Sequence, residues 1–218
     1  MERDFNAAAT KASYYPLWRV VLTTLAIISL LTVSGQLVGR QFFWSELDTR
    51  RIERELDYFR QLVDSDPTNP EHRVDLGYTF FKRGQYDQAL VQFEEALRLD
   101  ANFMPAYLSR GYVFFELALH NEALASFVRV TELAPQDYRG HLNTGISYRE
   151  LGMYDEASES LSLAKTFNPA AAEISYHFGV LFERQGLPDA ALEAYQEALT
   201  INPLFQDALQ AAERLQQR

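Results

Sequence analysis

Apolar and small residues recur along the chain with a period of 34 residues, starting near Pro70. Within each period the apolar residues are three or four positions apart, which is the spacing of one face of an α-helix. Glycine returns once in every period, and an alanine, a large apolar residue and a small apolar residue follow it. These positions are Gly77, Gly111, Gly145 and Gly179; Ala89, Ala123, Ala157 and Ala191; Phe93, Phe127, Leu161 and Tyr195; and Ala96, Val130, Ala164 and Ala198. Pro135, Pro169 and Pro203 close three periods, and Ala101 takes that place in the first.

This period and its residues resemble the tetratricopeptide repeat. The resemblance implies an all-α fold, a right-handed α-solenoid of four helix-turn-helix repeats, each made of a helix A and a helix B. Glycine and alanine are expected where the two helices cross, because a larger side chain would hold the backbones apart. The expected repeats are residues 70–103, 104–137, 138–171 and 172–205, and residues 206–218 are expected to form a capping helix.

The turn after helix A differs in one repeat. Gly84, Gly152 and Gly186 occupy this turn in three repeats, where a residue with positive φ commonly ends a helix. The second repeat has Ala118 instead. We therefore expect a tighter or strained turn there.

Residues 20–39 contain no charged side chain. Twenty helical residues span about 30 Å, the thickness of the hydrocarbon core of a bilayer. Arg19 and Arg40 flank the run, and aromatic residues such as Trp18 and Trp44 lie close to its two ends. We interpret it as a single transmembrane helix that contacts the lipid bilayer. The alternatives are a signal peptide cleaved near residues 33–35 and a buried helix of a soluble domain.

The orientation of this segment depends on the cations around it. Three basic residues lie in the N-terminal tail, residues 1–19, and Arg40, Arg50 and Arg51 follow the span. The counts nearly balance, and a short cationic tail before a first span usually stays in the cytoplasm. We therefore expect the repeats on the extracytoplasmic side of the membrane.

Residues 40–69 connect the span to the repeats. Apolar residues at helical spacing, including Leu56, Phe59 and Val63, predict a helix with one apolar face and one densely charged face. On the 34-residue grid, Phe59 has the place of Phe93. We interpret this juxtamembrane segment as the second helix of a degenerate half-repeat that covers the first full repeat.

Composition excludes several kinds of protein. The net charge of −10 argues against nucleic acid as a partner, because phosphate binding needs a cationic face. The chain has no cysteine, and none of its four histidines lies within five residues of another, so no local metal-ligand pair is present. No phosphate-binding loop, nucleophile motif or zinc-protease motif occurs. We expect no enzyme activity, no metal and no cofactor.

In tetratricopeptide repeats, certain positions of the A helices line the concave groove. In this chain the fifth and ninth positions are all apolar or aromatic, and the twelfth changes from phenylalanine to charged residues. The expected partner-binding residues are Val74, Tyr78, Phe81, Leu108, Tyr112, Phe115, Leu142, Ile146, Arg149, Tyr176, Val180 and Glu183. The groove is thus aromatic towards the span and charged away from it. Two alternatives are that these residues pack between neighbouring A helices, or that the tail or residues 47–66 occupy the groove.

The resemblance implies a protein–protein interaction scaffold. With the span, it predicts a membrane-anchored scaffold that binds a protein partner, itself expected to be membrane-associated, as an accessory subunit or assembly factor of a membrane protein complex. The alternative is a cytoplasmic-facing regulatory module that acts on a membrane enzyme. Repeats that clamp chaperone tails carry lysine and asparagine where this chain has Leu108 and Tyr112, so that partner class is not expected.

Overall fold

The computed structural model of the protein describes residues 44–217. The chain divides into a unit of residues 1–51, of which only the helical residues 44–51 are described, and a compact unit Ile52–Arg218. The described residues form ten α-helices and no β-strand. In chain order they are α1 (Trp44–Ser65), α2 (Pro70–Lys82), α3 (Tyr86–Leu99), α4 (Met104–Glu116), α5 (His120–Leu133), α6 (Tyr138–Glu150), α7 (Tyr154–Phe167), α8 (Ala172–Arg184), α9 (Pro188–Ile201) and α10 (Gln206–Gln216).

Helices α2 to α9 form four hairpins, each within one 34-residue period. The A helices are α2, α4, α6 and α8. Each packs against the B helix that follows it, and each after the first also packs against the B helix before it. Polar caps start two of the A helices. Asn69 accepts a hydrogen bond from the Glu71 N–H at 2.9 Å, and Asp137 accepts one from the Arg139 N–H at 3.0 Å. The expected all-α solenoid is confirmed.

The recurring glycines lie where helix A crosses helix B. A Cβ atom on Gly77 would lie 2.6 Å from Cε1 of Phe93, which is closer than two non-bonded carbon atoms approach each other. A Cβ on Gly145 would lie 2.9 Å from Cγ of Leu161. The facing alanines, such as Ala89, are completely buried. The spacing of glycine and the large apolar residue therefore reflects a contact that only glycine permits.

The turn at Ala118 is strained, as expected. Ala118 has φ of 57°, in the left-handed region where Gly84, Gly152 and Gly186 have φ between 71° and 78°. The Ala118 N–H donates to Phe115 O at 2.9 Å, as the Gly84 N–H donates to Phe81 O at 2.8 Å. Because the hydrogen bonds match, the turn is not tighter than the others, and the strain falls on the alanine backbone.

The core runs along the array as clusters between neighbouring helices. Leu56 and Val63 of α1 are buried against the first hairpin, and Phe59 packs at the edge of that cluster. At the other end, Ala211 and Ala212 of α10 pack with Tyr195 of the fourth hairpin. Helices α1 and α10 therefore cover the two ends of the array.

No helix in the described part of the chain is both long enough and apolar enough to cross a membrane. The predicted transmembrane helix, residues 20–39, and the tail, residues 1–19, lie outside the described residues.

Candidate partner-binding groove

The candidate groove is the surface that the four A helices form side by side. Helix α2 contacts α4, and α6 contacts α8. A hydrogen bond of 3.2 Å from the Asn143 side chain to the Tyr112 hydroxyl joins α4 to α6. The A helices therefore make a continuous surface, and all twelve expected binding residues lie on them.

The twelve residues differ in how much surface they expose. Tyr78 is the most exposed, at 47%. Six are half-buried: Phe81, Tyr112, Phe115, Tyr176, Val180 and Glu183. Five are buried: Val74, Leu108, Leu142, Ile146 and Arg149. The fifth position of the first three A helices thus packs into the core, and the aromatic residues provide most of the surface that a partner could reach.

The first part of the groove is aromatic. The ring centroids of Tyr78 and Phe81 are 5.9 Å apart, and those of Phe81 and Tyr86 are also 5.9 Å apart. The Lys82 ammonium lies 5.6 Å from the Tyr78 ring centroid, and Lys82 also pairs with Glu55 of α1. This end offers flat rings with polar tips, a combination common at binding surfaces.

Tyr112 is held more tightly than Tyr78. Its ring packs edge-on against Phe127 at 5.6 Å, and its hydroxyl accepts the hydrogen bond from Asn143. Burial raises the pKa of Tyr112 above its ordinary value, so the phenol stays neutral. Tyr112 therefore supports the fold as well as lining the groove.

Arg149 replaces the phenylalanine of the first two repeats at the twelfth position and is only 8% exposed. Its guanidinium donates to Oε1 of Glu150 at 2.8 and 3.0 Å and to Nδ1 of His177 at 3.1 Å. Burial and the nearby arginine lower the pKa of His177 to about 3, so the ring is neutral and accepts this bond. The sequence did not indicate this contact, because the two residues belong to different repeats.

A cavity of about 610 Å³ lies at the far end of the groove, between α8 and α10. Its lining from α8 includes Tyr176, Val180 and Glu183. From α10 it includes Asp207, Gln210 and Arg214, which are not among the binding residues predicted from the sequence. The repeat could have indicated two of these residues. When the 34-residue period is continued into α10, Gln210 and Arg214 take the fifth and ninth positions, which line the groove in the A helices.

Glu183 is fixed at the wall of this cavity. Its Oε1 atom accepts a hydrogen bond from the Tyr195 hydroxyl at 2.6 Å and one from Arg214 at 2.5 Å. Tyr195 is 1% exposed, and burial together with the Glu183 carboxylate raises its pKa. On the other side, Arg184 lies 3.5 Å from Glu150. The far end of the groove is therefore a polar network with defined geometry.

Sequence models of the tetratricopeptide repeat match residues 77–117, 105–137 and 142–204. No curated protein matches the chain by sequence. Among solved structures, YrrB, a repeat protein of this family described as having an unusual peptide-binding site, is 25% identical with a TM-score of 0.61. That match covers 76% of this chain and 86% of YrrB.

Two further structures show the same fold. TTC0263 from Thermus thermophilus is 22% identical with a TM-score of 0.68, over 80% of this chain and 95% of its own. MamA from Desulfovibrio magneticus is 20% identical with a TM-score of 0.63, over 80% and 94%. The helical array of this chain is therefore a tetratricopeptide-repeat domain, and the chain belongs with the proteins that carry this repeat.

Proposed function

We propose that the protein is a membrane-anchored interaction scaffold that holds a segment of a partner protein in the groove of its A helices. Tetratricopeptide repeats are protein-interaction modules, and YrrB is a structural relative with a described peptide-binding site. In this proposal the scaffold acts as an accessory subunit or assembly factor of a membrane protein complex.

The observation that carries the groove proposal is the exposed aromatic surface around Tyr78. Nearly half of the Tyr78 side chain is exposed, and it lies next to the half-buried ring of Phe81. Phe115 occupies the position of Phe81 in the next A helix and is also half-buried. Aromatic side chains that line an open groove form the kind of surface that a partner covers.

The membrane part of the proposal rests on the uncharged residues 20–39 and on the cations of the tail. Protease treatment of intact spheroplasts tests the orientation. We expect the repeats to be cleaved without lysis, since we place them outside the cytoplasm. Protection in intact spheroplasts with cleavage after lysis would instead favour a cytoplasmic-facing module that regulates a membrane enzyme.

Replacing Tyr78 with aspartate tests the groove. We expect Tyr78→Asp to remove the partner from the complex purified in mild detergent, because a carboxylate would replace the aromatic surface. The measurement is mass spectrometry of the co-eluting proteins, with circular dichroism to check the helical content. Tyr112 is less suitable, since its replacement would also remove the contacts with Phe127 and Asn143.

The matched control is Val91→Asp in helix α3. Val91 is 51% exposed, which is close to the exposure of Tyr78, but it lies on a B helix. The control should keep the same partners as the unchanged protein. Recovery of these partners with Tyr78→Asp would contradict the groove proposal.

A further inference from the structure

The groove ends in a cavity lined by two carboxylates, Glu183 and Asp207, and by the ring of Tyr176. We propose that the segment is basic, and that one of its arginine or lysine side chains enters the cavity between α8 and α10, where Asp207 and Glu183 bind it beside Tyr176. This inference rests on the proposed function, since it names the partner chemistry of the same groove.

The cavity is large enough to admit one long side chain. Its volume of about 610 Å³ lies in the range of sites that bind small molecules. Tyr176 and Val180 provide apolar surface for the methylene groups of a lysine or arginine. The ring of Tyr176 is held in place by Tyr195 and Phe205, whose centroids lie 5.7 and 5.1 Å away.

Two carboxylates at the cavity can still accept hydrogen bonds from a partner. Oε1 of Glu183 accepts the hydrogen bonds from Tyr195 and Arg214, which fixes the carboxylate and leaves its Oε2 atom without a hydrogen bond from the described residues. Asp207 forms neither a hydrogen bond nor an ion pair through its side chain within the described part of the chain. Asp207 and Tyr176 line the same cavity, and burial, followed by the Asp207 carboxylate, raises the pKa of Tyr176.

The cations of the groove are already engaged. Each of the five pairs with a carboxylate of this chain: Lys82 with Glu55, Arg139 with Asp137, Arg149 with Glu150, Arg184 with Glu150, and Arg214 with Glu183. No Lys or Arg within the described residues pairs with the side chain of Asp75, Glu116 or Asp207. Arg73 and Arg110 of the A helices are outside this set, because they donate hydrogen bonds to Gln92 and Ser126 of the B helices. Among the charged side chains that line the groove, those without an ion-pair partner are therefore negative.

The net charge of the whole repeat region is also negative. Residues 70–205 carry nineteen Asp and Glu against ten Lys and Arg. A basic segment would be attracted to this surface, whereas an acidic segment would meet like charges, since the cations of the groove are already paired. The cavity lining itself carries two carboxylates, Glu183 and Asp207, and two arginines, Arg184 and Arg214, which both pair with carboxylates of this chain. Aromatic rings at one end and carboxylate oxygens that can still accept hydrogen bonds at the other thus favour a segment with apolar side chains and at least one cation.

Selection of random 12-residue peptides displayed on phage against the purified full chain tests the inference. We expect the selected sequences to converge on an arginine or lysine combined with apolar residues. Convergence without basic residues, or on acidic ones, would contradict the inference. If no sequence is enriched over a support without protein, both the groove proposal and the inference fail.

A synthetic copy of the most enriched peptide then allows the cavity to be tested by fluorescence anisotropy. We expect Asp207→Asn to weaken binding about tenfold, because a charge-assisted hydrogen bond is lost. Asp189→Asn is the matched control, since both aspartates are exposed and each is the second residue of its helix, so any loss of helix stability is shared. The control should change affinity by no more than about twofold.

A charge reversal completes the test. Asp207→Arg should bind poorly to the basic peptide and should regain binding when glutamate replaces the basic residue of that peptide. If Tyr78→Asp abolishes peptide binding while Asp207→Asn and Asp207→Arg leave it unchanged, the groove proposal stands and the basic-segment inference is wrong.

Discussion

Ala118 is the residue at which the repeat departs most clearly from its own pattern. Three of the four turns after helix A use glycine in the left-handed conformation, and Ala118 adopts the same conformation with the same hydrogen bonds. A left-handed backbone costs about 1 kcal/mol for a residue with a Cβ atom. The second repeat therefore carries strain that its neighbours avoid.

We predict that Ala118→Gly raises the free energy of unfolding by about 1 kcal/mol, because it relieves this strain without changing the turn. Chemical denaturation followed by circular dichroism measures the change. Gly152→Ala, which creates the same conflict in the third repeat, should lower stability by a similar amount. Equal stability of all three proteins would show that the alanine turn is unstrained.

The sequence predicted single residues well where the repeat compares four copies of one position. Ala118 could be recognised because Gly84, Gly152 and Gly186 show what the turn requires. The contact between Arg149 and His177 could not, because it depends on how two helices place side chains that are 28 residues apart in the chain. Comparison of the four repeats shows which residue departs from the pattern, but it does not show which contacts that residue makes with a neighbouring repeat.

At the scale of the elements, the A helices begin in different ways. The side chains of Asn69 and Asp137 cap α2 and α6, whereas α4 and α8 start without a side-chain cap. Asp137 also pairs with Arg139 at 2.6 Å. The hydrogen bond from Arg139 lowers the pKa of Asp137 below its ordinary value of 3.8. The start of α6 therefore depends on an ionised carboxylate.

We predict that Asp137→Ala lowers the free energy of unfolding by about 1 kcal/mol at neutral pH. Because the pKa of Asp137 is lower in the folded protein, its ionised form stabilises the fold above pH 3.8, and this contribution disappears as the pH falls through the folded pKa. Asn69→Ala is the control, since it removes an uncharged cap. Denaturation at several pH values between neutral and about 2 should show the Asp137→Ala difference shrinking and the Asn69→Ala difference remaining.

The period predicted where helices occur and which residues meet at their crossings, because these contacts lie within one repeat. It predicted less well how far the groove residues are exposed. The fifth position faces both the groove and the neighbouring helix, so Leu108 and Leu142 are buried while Tyr176 is half-buried. Exposure at that position depends on side-chain size and on the neighbouring repeat, which a single period does not describe.

At the scale of the compact unit Ile52–Arg218, stability depends on contacts between neighbours. The last core cluster joins Ala191 and Tyr195 of α9 to Ala211 and Ala212 of α10. In an array of repeats, the loss of a terminal element destabilises mainly the repeat next to it.

The cavity was not predicted, because it forms between α8 and a helix that the sequence indicated only as a cap.

We predict that deleting residues 206–218 increases amide exchange in α8 and α9, because Tyr195 loses the helix that covers it. Exchange in α2 and α3 should stay unchanged. Hydrogen–deuterium exchange with mass spectrometry measures both, and deletion of residues 217–218 alone is the control. Uniform faster exchange over all repeats would instead indicate that the array unfolds as a single cooperative block.

The core clusters have a consequence for how the protein is made. Leu56 and Val63 of α1 pack with the first hairpin, and the core continues from each hairpin towards the next as far as α10. During synthesis from the N-terminus, each new hairpin leaves the ribosome beside a hairpin that has already formed. The face towards the earlier hairpin is covered at once, and the opposite face waits only for the next hairpin, so no segment has to wait for a distant one. The order of synthesis is thus the order in which the array can assemble, with α10 closing it last.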